Sequence, residues 1–386
     1  MSGEANSMVT AEPIMATSLR VNVATDFEQL RELAVRWDAL AGEIPFRSFE
    51  WAHTWWQHYS EPSSQLFTLV VSDEDGEIVG IAPWYLKGSP SLGRVVRFLG
   101  SGEVCSDYLT ILVSSELAEA VVERLARWLA HEGATRWNLL ELKGVEAENE
   151  VIAHLGQELA KQGLLVHREP DMNCWRTELS ATWDDFLATL SKARRARTRT
   201  LLRRTVEAGR AVVHEVTTPE ELAIAFEILI DLHQKRRRSL SQPGCFASTR
   251  FTDFHREMTQ RLLARGQLRM LWTEFEGRPI AAEYGFAGGD VVFYYLGGFE
   301  PELADENPGW LALGSSLKLA IEQGFRVYDF LRGDESYKAS WRAVARPLVH
   351  VRIVGKQPSA RVRFATWRAY REIKGWARQV LSRAKR

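Results

Sequence analysis

The stretch Tyr328–Trp341, YDFLRGDESYKASW, decides how the chain reads. Its apolar opening, Val327 to Leu331, has the length and composition of a short buried strand. Arg332, Gly333 and Asp334 then break the run, and Glu335 to Trp341 opens a helix. Two acids, a tyrosine and a lysine thus stand just past a strand end, where α/β proteins hold reactive groups on loops fixed by a rigid sheet. The same residues read equally well as an Asp N-cap with a solvated first turn.

Upstream of that stretch, Pro308 to Gln323 is a helix with Asn307 as its cap and Gly324 as its stop. Val291 to Leu296 is a strand, and Leu268–Phe275 and Ile280–Phe286, joined by EGRP, form a hairpin. Helices are expected around 182–209, 219–238 and 251–264. The first half follows the same order. Leu19–Val23 is a strand, Asp26 caps a helix, and a second helix starts at Ser48. Leu66–Val71 and Ile78–Leu86 flank the turn DEDGE, and strands follow near Val95–Leu99 and Tyr108–Val113. Glu116–His131 is an amphipathic helix, Trp137–Leu142 a strand, and another helix and two short strands end near Leu179.

The halves match in detail. DGEIVGIA at 75–82 parallels EGRPIAAE at 276–283, and HEGATRWNLLEL at 131–142 parallels EQGFRVYDFL at 322–331. This argues for a duplicated α/β domain joined near residue 180. The expected organisation is a flexible tail over 1–18, a first domain over 19–180, a second over 181–356 and a basic amphipathic helix over 357–386.

Composition suits a soluble globular protein: 386 residues, 45% hydrophobic and 26% charged. Three cysteines, far apart and in no CxxC pattern, indicate neither a disulfide framework nor a zinc site, so no metal is expected and a reducing, cytoplasmic setting fits. The first residues lack the basic start and apolar run of a secretion signal, and no window is apolar enough to cross a membrane.

The net charge of −1 hides two basic arms. Lys192 to Arg210 carries Lys192, Arg194, Arg195, Arg197, Arg199, Arg203, Arg204 and Arg210 against Glu207 alone. Residues 361–386 carry nine basic side chains against Glu372. Arms of this kind suit anionic partners: phosphates, nucleic acid or lipid headgroups. The second also carries Val362, Phe364, Trp367, Tyr370, Ile373, Trp376 and Val380, so it reads either as a helix lying on an anionic bilayer, giving peripheral membrane contact, or as one docked on the protein's own body.

The repeated order of helix, helix, hairpin, strand, helix, strand resembles the GCN5-related N-acetyltransferase (GNAT) fold. The run from Phe293 to Trp341, FYYLGGFEPELADENPGWLALGSSLKLAIEQGFRVYDFLRGDESYKASW, is similar to the tandem-domain family of cellulose-biosynthesis acetyltransferase-like proteins, itself related to the Fem-type aminoacyl transferases of peptidoglycan synthesis. SDYL at 106–109 and LHQKRRRS at 232–239 belong to the same resemblance.

The resemblance implies acetyl-coenzyme A or another acyl-coenzyme A as co-substrate, with its pyrophosphate at Asn307, Pro308, Gly309 and Trp310, a helix N-terminus. Only PGW stands where the family has a glycine-rich loop. It further implies Tyr337 as the acid that protonates the leaving thiolate, Asp334 as base, Lys338 as a holder of phosphate or of charge on the acyl oxygen, and backbone N–H groups near Leu296 and Gly297 as oxyanion donors. Glu283, the lone acid in an apolar strand, is either a second base or a solvent-facing side chain. Asp107, Tyr108, Arg332 and Trp341 are the substrate-binding candidates, and His233 reads as a helix-surface histidine. The implied activity is acyl transfer to the amine or hydroxyl of a small-molecule or glycan-precursor acceptor related to the cell envelope. Transfer from aminoacyl-tRNA, which the basic helix suits, and a non-catalytic scaffold are the alternatives.

Overall fold

The computed structural model describes residues 18–384, with side chains described up to Lys374. The tail expected over 1–18 lies outside the described residues except for Ser18. The first half contains β1 (Arg20–Ala24), α1 (Phe27–Arg31), α2 (Ala34–Ala41), α3 (Phe49–Tyr59), β2 (Ser64–Leu66), β3 (Thr68–Ser72), β4 (Ile78–Ala82), β5 (Trp84–Ser89) and β6 (Gly93–Phe98). It continues with β7 (Leu112–Val113), α4 (Ala118–Ala130), β8 (Leu139–Glu146), α5 (Glu150–Lys161) and β9 (Leu165–Glu178). The second half contains α6 (Trp183–Thr189), α7 (Lys192–Thr205), β10 (Ala211–Glu215), α8 (Pro219–Ser239), α9 (Thr249–Ala264), β11 (Leu268–Phe275), β12 (Arg278–Gly288) and β13 (Val291–Phe299). It ends with α10 (Pro308–Glu322), β14 (Val327–Arg332), α11 (Ser336–Ser340), β15 (Val344–Val354) and α12 (Pro358–Ala384).

Local chemistry sets many of these boundaries. Ser48 accepts from the Trp51 N–H to start α3, and Thr218 with Glu221 forms a capping box on α8. Pro83, which has no N–H, falls between β4 and β5. There the chain passes from a four-stranded sheet, β1-β3-β4-β7, into an eleven-stranded one. The single helix expected over 182–209 is two, because the Thr182 and Ser191 side chains each accept from backbone N–H groups and start separate helices. The two short strands expected before Leu179 are one long strand, β9.

The large sheet runs β10-β11-β12-β13-β14-β9-β15-β8-β6-β5-β2. The halves therefore trade their last strands: β9 pairs antiparallel with β14, and β15 lies between β9 and β8. The sheet crosses the join expected near residue 180 without a break. A core rich in large rings fills both faces, with Trp37, Trp51, Trp84, Trp137 and Trp341 fully buried. Each such ring is worth about 5 kcal/mol of transfer free energy.

Among the register irregularities of this sheet, two features of β13 bear on the site. β13 has a register shift opposite Tyr284/Gly285 that skips Tyr295, a bulge. β13 and β14 pair in parallel only through Phe293 and Asp329, then part. From Tyr294 onward the edge of β13 that faces β14 has no ladder partner.

Candidate active site

The parted ends of β13 and β14 open onto a cleft of about 440 Å³ between the halves. That is the size of a small-molecule pocket. Leu296 and Leu331 form its floor, and α8 contributes His233 and Arg237. The loop after α8 adds Gln242 and Cys245, and the first half adds Glu103, Cys105 and Asp107. Among the described residues, seven other than glycine have positive φ, and four of them lie in or beside this cleft: Cys105 (47°), Tyr108 (63°), Ser241 (57°) and Leu331 (53°). Left-handed backbone costs a leucine or tyrosine roughly 1–3 kcal/mol, and such strain gathers where function over-determines geometry.

The surrounding bonds hold the strain in place. Tyr108 donates its hydroxyl to Asp329 at 2.6 Å, and the Leu331 N–H donates to the other Asp329 oxygen at 2.8 Å. Arg332 donates Nε to Asp107 at 2.6 Å, its backbone N–H to the same carboxylate at 3.1 Å, and Nη2 to the Ser106 carbonyl at 3.0 Å. SDYL of the first half is thereby bolted onto DFLR of the second. Burial pushes the Asp329 carboxyl up to about 7, against the pull of the Tyr108 and Leu331 hydrogen bonds. Burial pulls the Arg332 guanidinium down, but the Asp107 carboxylate outweighs it and the net shift is upward.

These contacts revise several expectations. Asp107, Tyr108 and Arg332 were expected to bind substrate. Asp107 and Arg332 do line the cleft, but each is committed to the other, and Tyr108 is spent on Asp329. Trp341, also a substrate-binding candidate, is fully buried and stacks on Trp310 with ring centroids 4.3 Å apart, so it is a packing residue. Lys338 is 2% exposed and donates Nζ to the carbonyls of Leu331, Arg332 and Gly333 at 3.2, 3.0 and 2.9 Å. Nζ also pairs with the Glu335 carboxylate at 3.0 Å, so the three N–H groups of the ammonium are shared among four acceptors of the loop and helix start, and none is left for a phosphate. Asp334 is exposed and accepts from Asn173 at 2.8 Å and Trp175 at 3.0 Å. Those two bonds hold its carboxyl below the usual range, which weakens it as a base. It caps nothing, since the N-cap of α11 is Glu335.

His233 is not a surface histidine. It is buried, faces the cleft, and lies 3.6 Å from the Cys245 sulfur through Nε2. Burial, then the nearby Arg237, lowers it to about 4, while burial raises the Cys245 thiol to about 12. Both groups are neutral at pH 7, so they are no thiolate–imidazolium pair. Glu103 differs from Asp107, the other acid that lines the cleft. It accepts from the Tyr59 hydroxyl at 3.0 Å and the Ser248 hydroxyl at 3.1 Å, and it has no ion-pair partner among the described residues.

The opposite side of the β13–β14 gap is aromatic. Tyr294, Tyr328, Phe330 and Tyr337 pack there against α10. Burial, then Glu335 and Glu283, hold the Tyr337 phenol well above its usual range, so it keeps its proton at neutral pH. Glu283 is buried rather than solvent-facing. Its Oε2 has no partner among the described residues, and burial raises it to about 7 against a hydrogen bond from Ser316. The space around it, about 10 Å³, admits one water at most and shares no lining residue with the cleft.

At the start of α10, Asn307 sits in the left-handed region and its side chain does not cap the helix, contrary to expectation. It accepts from Arg197 of α7 instead. Trp310 and Leu311 both donate N–H to the Asn307 carbonyl, and Pro308 has none, so PGW leaves a single unpaired N–H, that of Gly309, among the described residues. Arginine supplies the remaining positive charge. Arg194 and Arg197 stand over the Trp310 ring at 5.7 and 5.1 Å, and Arg197 and Arg204 line a cavity of about 320 Å³ beside Asn307. Among the described residues there is no cluster of side chains able to hold a metal ion.

Residues 192–339 match the family model described as an acetyltransferase (GNAT) domain. The structure of FemX superposes with a TM-score of 0.58 at 14% identity, covering 82% of this chain and 95% of that one. A conserved protein of unknown function from Bacteroides thetaiotaomicron VPI-5482 superposes with a TM-score of 0.56 at 12% identity, covering 87% of this chain and 100% of its own. At these identities the likeness shows a shared fold of mixed sheets flanked by helices. No curated protein matches the chain.

Proposed function

We propose that the protein transfers an acyl group from acyl-coenzyme A, most simply acetyl, to an amine held in the cleft between the halves. The observation that carries this reading is the gap between β13 and β14. It opens the free edge of β13 onto a polar cleft on one face, while tyrosines pack behind it and Arg197 and Arg204 flank the start of α10, which supports a meeting of donor and acceptor at the gap. The donor supplies a thioester. Arg197, Arg204 and the Gly309 N–H would hold its phosphates, and unpaired N–H groups of β13 near Leu296 and Gly297 would take up charge on the acyl oxygen. Glu103 binds the acceptor as an ammonium and accepts its proton. The freed nitrogen lone pair attacks the thioester carbon, the C–S bond breaks as the tetrahedral adduct collapses, Tyr337 protonates the departing thiolate, and the second proton of the nitrogen passes to solvent, from which the Tyr337 phenolate is reprotonated. An envelope or polysaccharide precursor is the acceptor class suggested by the sequence resemblance.

A second reading has one observation in its favour. PGW offers one free N–H where a pyrophosphate would take several, while α7 offers arginines suited to any polyphosphate, including the acceptor end of an aminoacyl-tRNA. Calorimetric titration separates the two. The proposal expects saturable binding of acetyl- or longer acyl-coenzyme A, weakened by Arg197→Gln with Arg204→Gln. Binding of aminoacyl-tRNA with no response to any coenzyme A species would overturn it in favour of the second. Glu103→Gln is expected to raise KM for the acceptor and leave donor affinity unchanged.

A further inference from the structure

Helix α12 carries two faces, and among the described residues only one of them packs on the body. Its inner face, Ala360, Phe364 and Trp367, packs on Leu92, Val95, Leu139 and Val354. Arg371 on the same side reaches Glu169 at 3.1 Å, and Trp367 lies under the Arg352 guanidinium, 4.6 Å from its ring centre. The helix is therefore anchored to the body. At 100° per residue, Val362, Thr366, Ala369, Tyr370 and Ile373 fall on the opposite side. Val362, Tyr370 and Ile373 are 65, 61 and 65% exposed, a run of large apolar side chains that none of the described residues covers.

Charge says what suits that stripe. Arg361 and Arg368 border it on one side and Arg363 and Lys374 on the other, with Glu372 as the only acid between Arg361 and Lys374. Arg361 and Arg363 each give one N–H to a surface carbonyl, of Gly163 and Pro90, and Arg368 pairs with Glu372 at 3.3 Å, yet all three remain exposed and the flanks keep a net positive charge. An apolar ridge with cations on both flanks matches an anionic bilayer surface: the ridge enters the headgroup boundary and the cations meet lipid phosphates. A ridge built for a second protein copy would gain nothing from cations on both flanks, since two such helices would repel.

We infer that the outer face of α12, from Val362 to Ile373, docks the protein on an anionic lipid surface while its inner face stays packed on the body. No helix of the described residues is long and apolar enough to cross a membrane, so the contact is interfacial. The test is sedimentation of the full chain with vesicles of phosphatidylcholine alone and of phosphatidylcholine mixed with phosphatidylglycerol. Binding is expected to the mixed vesicles only and to fall with added salt. Arg368→Gln with Lys374→Gln is expected to weaken binding by about 30-fold, and Ile373→Asp to abolish it, with thermal unfolding of both variants unchanged. Failure to bind the mixed vesicles overturns the inference. So does binding that survives Ile373→Asp, or a concentration-dependent dimer in lipid-free solution that Val362→Asp dissociates.

Discussion

Replacing Asp329 by asparagine should change how stability depends on pH, by an amount set by its burial. The carboxyl is 1% exposed and titrates at about 7 in the fold, against 3.8 in the open chain. Between those values the folded protein holds a proton that the unfolded chain releases, so the group's contribution to stability falls as pH rises through that window. Above pH 7 the loss is complete and amounts to about 4 kcal/mol. Asparagine keeps an oxygen for the Leu331 N–H and an amide that can donate to the Tyr108 hydroxyl, and it has no charge to desolvate. Relative to the parent, Asp329→Asn should gain about 4 kcal/mol between acid and pH 8, nearly all of it between pH 4 and 7. His233, lowered to about 4, works in the opposite direction, since stability is lost as pH falls below 6.5, but it is common to both proteins and cancels. Urea unfolding followed by tryptophan fluorescence at a series of pH values reads the difference. A difference that stays flat to within about 1 kcal/mol would mean that Asp329 is not desolvated, and the strained floor of the cleft would need another explanation.

Three further outcomes rest on the same geometry. Lys338→Met should destabilise the fold by about 3 kcal/mol in urea titration, because three loop carbonyls lose their donor, whereas a phosphate-binding lysine would leave stability unchanged. Arg332→Met should cost about 3–5 kcal/mol by leaving the Asp107 carboxylate buried and unpaired, and adding Asp107→Asn should recover part of that loss. Tyr337→Phe should unfold within about 1 kcal/mol of the parent, since no hydrogen bond to its hydroxyl is lost, yet slow transfer by roughly 10²–10⁴-fold in a steady-state assay.

Much of the fold was legible because it rests on local patterns. Capping residues such as Asp26 and Ser48, the EGRP turn and the apolar run Val327–Leu331 announce their elements through chemistry a few residues long. The trade of β9 and β15 between halves was not legible, since each strand is ordinary in itself and its neighbour is chosen by packing across the whole chain. The same divide runs through the site. The stretch after β14 stands out in the sequence, but Asp334 and Lys338 serve to tie the loop down, with partners in β9 and in the loop's own carbonyls. The cleft groups that sequence reasoning missed, Glu103, Cys105, Arg237 and Cys245, come from loops and a helix end far apart in the chain. Glu283 shows a different failure. An acid in an apolar strand looks the same whether it faces water or Ser316 and Tyr328, and only the position of α10 decides.

If donor and acceptor meet where β13 and β14 part, a crystal structure with a non-reactive acyl-coenzyme A analogue should show the pantetheine arm threaded between Leu296 and Leu331, the acyl oxygen within hydrogen-bond distance of a β13 N–H, and phosphates near Arg197 and Arg204. An analogue bound elsewhere, with the strand ends closed by their own side chains, would contradict it.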